Sequence, residues 1–279
     1  MKTINTLNEM LSYSETIKNE NKKIAQIDVV GDLHLAHLEL IKEAKDKSDV
    51  VIVNIDGTTD YVVDKELTTE EKEIYQKTLL SKDILFCRDA GVDALCYYSD
   101  RDFWGFHDTS NATEAFKYFI SKYHQSYLMS IWPKQLEACK ADITVIGQKD
   151  YYPDVIIKYF INELNLPTEI IVLPTIRDEN GLPVSSRNKF LTNGQKKRAS
   201  YICREAQKIS EWSSYPSVEE IKKHIKNIIS NARMFFITGN IYSSTTLEKL
   251  TTINEEAFIK LIFKFKDVYI TDNIILQPK

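Results

Sequence analysis

A chain of 279 residues is long enough for one large domain or two modest ones, each with its own core. Its 43% hydrophobic and 27% charged residues are those of an ordinary globular protein, and a net charge of -4 argues against nucleic acid as a bulk partner, because such proteins usually carry a basic excess, while leaving room for a local basic pocket for a small anion. No apolar run reaches the roughly 18 residues of a membrane span, and the opening MKTINTLNEMLSYSETIKNENKK has no signal-peptide core, so a cytoplasmic protein without a membrane partner is expected.

Cys87, Cys96, Cys139 and Cys203 form no CxxC pair and read as buried, reduced thiols. In chain order, KIAQIDVVG reads as a strand, and HLAHLELIKEAKDKS as a helix with Leu35, Leu38, Ile41 and Ala44 near one stripe. DVVIVNID is a continuous apolar run, the mark of a strand buried on both faces of a parallel sheet. TTEEKEIYQKTLLSKDILFCRDAG is a helix opened by a threonine cap and closed by Gly91, and VDALCYY is the next strand. NATEAFKYFISKYH and SYLMSIWPKQLEACK read as two helices, the second starting afresh at Pro133 or bending around it. ADITVIG (strand), YPDVIIKYFINELN (helix) and TEIIVLPTI (strand) follow.

Strand and helix alternating in this way predict an α/β fold, a Rossmann-like, doubly wound parallel sheet, over residues 1–188. From about 189 the rhythm changes. The chain reads as mostly helical to about Asn231, with RMFFIT and DVYITDNIIL as short strands around a further helix, NEEAFIKLIFKF. A smaller α+β domain over 189–279 is expected.

Three stretches carry chemistry, each after a predicted strand. In GDLHLAHLEL, Gly31 ends a strand and His34 and His37 share one face of the first helical turn. Free N–H groups and the helix dipole there attract phosphate, and imidazoles can donate to its oxygens. The same HxxH spacing can bite zinc, though no third ligand stands at a recognisable spacing, or the two histidines can be incidental on an exposed turn. The second stretch is Gly147-Gln148-Lys149-Asp150, where Lys149 offers a point charge for phosphate and Asp150 an acceptor for ribose hydroxyls or a helix cap. The third is RDENGLPVSSRNKFLT, in which Gly181 supports a tight turn before Ser185, Ser186, Arg187 and Asn188, a set suited to phosphate. A solvated loop and a polar linker are the plainer readings of these two. In a parallel sheet the ends of all three strands share one edge, so the three sites can converge on one nucleotide.

The order and wording of these blocks resemble the pantothenate synthetase (pantoate–β-alanine ligase) family of the HxGH nucleotidyltransferase superfamily. GDLHLAHLELIKEAK is similar to that family's first strand and helix, and DVVIVNI to its second strand. YQKTLLSKDILFCRDAGVD is similar to its Tyr-Pro-Arg-Thr helix with the Ala-Gly-Val-Asp turn, and VYITDNIIL to its Arg-Leu-Ile-Asp-Asn ending. The block from VIGQKDYYPD to SSRNKFLT matches best, and the resemblance spans nearly the whole chain.

It implies an ATP-dependent ligase that joins a carboxylic acid to an amine through an acyl-adenylate, releasing pyrophosphate and AMP, with Mg²⁺ and as a homodimer built on the small C-terminal lid domain. It also implies that His34 and His37 hold the ATP phosphates and stabilise the transition state. Lys149, Ser186 and Arg187 then hold the β- and γ-phosphates with Ser185 alongside, and Gly147 and Asp150 meet the adenosine. Asp83 falls where the family keeps a carboxylate associated with Mg²⁺, once one inserted residue is allowed; a solvated helical aspartate is the plainer reading. The alternative within the superfamily is transfer of a nucleotidyl group to a phosphate acceptor.

Three departures stand out. Ala36 replaces the glycine between the histidines. NIDGTTDYVV replaces a Phe-Val-Asn-Pro-x-Gln-Phe segment, putting Thr58 and Tyr61, with Asp56 and Asp60 nearby, where amides line the pantoate pocket. Pro153 takes the place of another pantoate-binding glutamine, and only His124 is kept from an Arg-Pro-Gly-His-Phe turn. The nucleotide half of the pattern is kept and the acid half rewritten, which implies pantoate bound by other groups or a different acid.

Overall fold

The computed structural model describes residues 1–55, 68–97, 111–122, 128–150 and 152–279. They fall into two compact units, one of Met1–Asp108, His124–Gly147 and Ile156–Leu173, the other of Thr109–Tyr123, Gln148–Val155 and Pro174–Lys279. The expected division after residue 188 falls inside the second unit, whose long C-terminal stretch begins at Pro174.

The described elements run β1 (Lys2–Ile4), α1 (Leu7–Asn19), β2 (Ile24–Val29), α2 (Leu35–Lys47), β3 (Val50–Ile55), α3 (Thr69–Asp89), β4 (Ala94–Tyr97), α4 (Glu114–Lys122), α5 (Leu128–Cys139), β5 (Ile143–Gly147), α6 (Tyr152–Glu163) and β6 (Glu169–Leu173). Then come α7 (Asn193–Gln207), α8 (Val218–Asn231), β7 (Phe235–Ser243), β8 (Ala257–Phe265) and β9 (Val268–Leu276). Pro133 lies inside α5, which runs through it. Among the described residues no helix is long and apolar enough to cross a membrane, and all four cysteines are buried thiols outside any disulfide.

The first unit is built on a six-stranded sheet in the order β1-β4-β3-β2-β5-β6, with every pairing parallel. Residues at one parity of the central strands (Ala25, Ile27, Val29, Val51, Val53, Ile55) pack with Leu40, Ile41 and Ala44 of α2 and Cys87 of α3. The other parity (Ile24, Val50, Ile52) packs with Met10 and Ile17 of α1 and with Ala138 and Cys139 of α5. All six residues of β3 are therefore buried, as its unbroken apolar run predicts. α3 starts at a reciprocal cap: Thr68 Oγ1 accepts from Glu71 N at 3.3 Å and a Glu71 oxygen accepts from Thr68 N at 2.8 Å. The strand order reverses between β2 and β5, and in such sheets ligands bind outside the carboxyl ends at that point. Gly31 and Gly147 stand at those two strand ends.

The second unit contains the antiparallel sheet β7-β8-β9, whose core joins Ile202, Cys203 and Ala206 of α7, Ile221, Ile225 and Ile229 of α8, and Ile259, Leu261 and Ile274 of the strands. Each fully buried Ile or Leu there is worth about 1.5–3 kcal/mol. One expectation is overturned: AFIKLIFKF is not a helix but β8, the central strand, paired residue for residue with β9 and with β7 except for a register shift between Phe236 and Thr238. Lys260 and Lys264, four apart, imitate a helical polar face. The Ile and Phe content and a place between two partners favour the strand. The turn into β9 is two residues long with Lys266 at φ 49°, and it lacks the Asn-Gly signal that marks such turns.

Candidate active site

In the first unit the chain leaves β2 through Gly31 (φ 104°) and Asp32 (φ 52°) and enters α2 at its cap, His34. A side chain is doubly unfavourable at Gly31, since its Cβ would also lie 3.2 Å from an oxygen of Asp83. That carboxylate sits on α3, is 3% exposed, and accepts the N–H of Asp32 at 2.9 Å and of Leu33 at 2.8 Å. Asp83 thus braces the strained turn that delivers the histidines. Removing it in Asp83→Ala leaves two amides without their protein partner, an expected loss of about 1–3 kcal/mol, to be read by urea denaturation. An unchanged midpoint would contradict the brace.

The two imidazoles are brought together as the spacing predicts. Their rings stack at 4.0 Å between centroids and 21° between planes. The backbone N–H of His34 donates to Nδ1 of His37 at 3.1 Å. An accepting Nδ1 carries no proton, so neutral His37 keeps its proton on Nε2, where it can donate to a ligand.

Gly147 ends β5 in the same unit, and among the described residues, its two chain neighbours aside, no atom lies within 4 Å of where its Cβ would be. A ligand has room to approach the backbone there.

Lys149 belongs to the second unit, in the 3-10 turn Gln148–Asp150. Its Nζ donates to Val184 O at 2.9 Å, which brings it beside the Ser185–Asn188 block of the same unit. Ser185 Oγ caps the 3-10 turn Ser186–Phe190 by accepting from Arg187 N at 3.4 Å, and Asn188 Nδ2 donates to Pro183 O at 2.9 Å. The block is preceded by a small hairpin in which Arg177 bridges to Pro183. Gly181 takes φ 86° there, with its Cβ position only 2.8 Å from the Arg204 side chain, which is the tight turn expected of it.

Two groups escaped the sequence reading. Arg177 makes a two-pronged ion pair with Asp272 on β9, at 2.8 and 3.0 Å, and Asp272 is fully buried. Burial pushes the Asp272 carboxyl up and its bonds to Arg177 pull it back. Burial also opposes the charge of Arg177, but the partner outweighs this and raises its pKa further.

The second group lies in the central strands of the first unit. Asp28 accepts from Gln26 Nε2 at 3.0 and 2.8 Å and from Asn54 Nδ2 at 2.7 Å. Burial pushes its pKa up to about 6, against the pull of those amides. A carboxyl whose folded pKa exceeds its unfolded value is stabilising only while protonated, so stability falls as pH rises from about 4 to about 6. Asp28→Asn should therefore raise stability at pH 7.5 by up to about 3 kcal/mol and leave it unchanged near pH 4. Equal effects at both pH values would contradict this. The signal for both groups was a charge inside an apolar strand, Asp28 in IAQIDV and Asp272 in VYITDNIIL.

Among the described residues no group of three His, Cys, Asp or Glu could hold a metal ion. Thr58, Tyr61, Asp56, Asp60 and His124 lie outside the described residues, as do the side chains of Asp150 and Pro153.

The family model for pantoate-beta-alanine ligase matches residues 2–275. The chain belongs to this family. A pantothenate synthetase from Syntrophus aciditrophicus is 25% identical over 98% of this chain and 96% of its own length. The crystal structure of pantothenate synthetase from Thermus thermophilus superposes with a TM-score of 0.78 over the full length of both chains at 20% identity, a likeness of fold. That of a pantoate-beta-alanine ligase from Francisella tularensis, solved with a β,γ-ATP and β-alanine, gives 0.70 at 26% identity over 99% of this chain and 97% of its own. As a member of the pantoate-beta-alanine ligase family, the chain is an ATP-dependent, amide-forming ligase.

Proposed function

We propose that the chain activates a carboxylic acid as its adenylate and passes the acyl group to an amine. The acid's oxygen attacks the α-phosphorus of ATP, the bond to the bridging oxygen breaks, and pyrophosphate leaves. The amine nitrogen then attacks the acyl carbon, loses its proton, and AMP departs with the carboxyl oxygen it received. No enzyme nucleophile is required; orientation and charge stabilisation carry the acceleration.

The observation that supports this most is the stacked pair of imidazoles at the amino end of α2, directly after a strand at the reversal of the sheet order. His37 donates from Nε2 to the phosphate chain, with His34 beside it. Lys149, Ser186 and Arg187 neutralise the charge that grows on the departing pyrophosphate, with Ser185 alongside. Gly147 lets the adenosine approach the backbone, and Asp150 accepts from its ribose.

Mg²⁺ bound with the nucleotide would neutralise charge on its phosphates. Asp83, whose oxygens each accept one backbone N–H of the turn, keeps lone pairs with which it would help to hold that ion. The acid is pantoate held by an altered set of groups around Thr58, Tyr61 and Pro153, or a different acid, and β-alanine is the first amine to try.

The test is exchange of labelled pyrophosphate into ATP across a panel of carboxylic acids, pantoate first, without amine. Exchange that depends on one acid is expected. No exchange with any acid, and no AMP with any acid–amine pair, would overturn the proposal.

A further inference from the structure

We propose that Asn273 is a positioning residue that acts through Lys149, making the C-terminal strand β9 part of the phosphate-holding machinery. The inference rests on the reading of Lys149 as a phosphate ligand. Asn273 is 3% exposed, and its Nδ2 donates to two successive carbonyls, that of Gln148 at 3.4 Å and that of Lys149 itself. A side-chain amide that grips adjacent carbonyls fixes the path of the backbone between them, and with it the direction in which the Lys149 side chain leaves.

The neighbouring residue completes a ring within the second unit. Asp272 holds Arg177. Arg177 donates to Gly181 O at 3.2 Å and bridges to Pro183, setting the hairpin that presents Val184. Val184 O receives the Lys149 ammonium. Lys149 is thus held at its backbone by Asn273 and at its tip by a hairpin that Asp272 anchors. Both anchors are consecutive residues of one strand. A lysine side chain carries large rotamer freedom, and a charge fixed before the ligand arrives stabilises it more than one that must be ordered on binding.

The test measures affinity for β,γ-methylene ATP and for AMP by calorimetry, in the full chain, for wild type, Asn273→Ala, Lys149→Ala and the double variant. Asn273→Asp, which keeps the shape and loses the donor, is the second variant should alanine fail to fold. Asn273→Ala is expected to weaken the triphosphate about 10-fold and leave AMP, which lacks the β- and γ-phosphates, unchanged. In the Lys149→Ala background the same change should have no further effect on triphosphate affinity. Equal weakening of AMP, or losses that simply add, would overturn the role of Asn273 while leaving Lys149 as a phosphate ligand. If Lys149→Ala itself leaves triphosphate affinity intact, the phosphate reading of Lys149 falls, and this inference with it.

Discussion

Replacing Lys149 with alanine is expected to slow acid-dependent pyrophosphate exchange by about 100–1,000-fold, the usual loss when one preorganised donor to a developing charge is removed. Stability should fall by no more than a few kcal/mol. The ammonium donates to the Val184 carbonyl in a part-buried bond, and a bond from a charged donor is worth about 1.5–3 kcal/mol net. The split between the two readouts is the point of the experiment. A lysine that only packs loses activity in step with stability, whereas one that stabilises the leaving pyrophosphate loses rate while the chain stays folded. Matched losses in melting temperature and exchange rate would remove Lys149 from the catalytic set.

The second large effect concerns stability. Asp272→Ala is expected to cost about 3–5 kcal/mol, because it leaves the Arg177 guanidinium without its buried counter-charge. The Asp272 side chain is fully buried and that of Arg177 is 23% exposed, so water can replace the carboxylate only in part. A charge stranded in this way costs more than the pair ever contributed, and replacing both partners with apolar residues of similar volume should recover most of the loss. Chemical denaturation of Asp272→Ala, Arg177→Met and the double variant measures this. If the double variant is as unstable as the sum of the singles, the ion pair is not the source of the effect.

These two residues differ in how plainly the sequence announces them. Lys149 lies two residues beyond the strand ADITVIG and carries its chemistry in a local motif, as do His34, His37 and the Ser185–Asn188 block. The parallel strands were equally legible, because burial on both faces leaves runs such as VVIVNI with no polar interruption but Asn54. Arg177 and Asp272 are 95 positions apart, Lys149 and Asn273 124 apart, and Asp83 51 from the turn it braces. Nothing in local periodicity encodes such pairings; the fold creates them. β1 is a three-residue strand, too short for a pattern, and α1 buries only Met10, Ser14 and Ile17, a stripe too thin to stand out in a polar segment. β8 shows the opposite failure, a segment read locally as a helix and overruled by its place between two strands.

The central claim is that ATP is split between its α- and β-phosphates by a carboxylate. Phosphorus NMR of the complete reaction, ATP and Mg²⁺ with pantoate and β-alanine and then with any other acid that supports exchange, tests it most directly. The claim predicts AMP and pyrophosphate in equal amounts, formed only when the acid is present and matched by the amide. ADP with orthophosphate, or a stable nucleotide conjugate that accumulates without any need for amine, would contradict it.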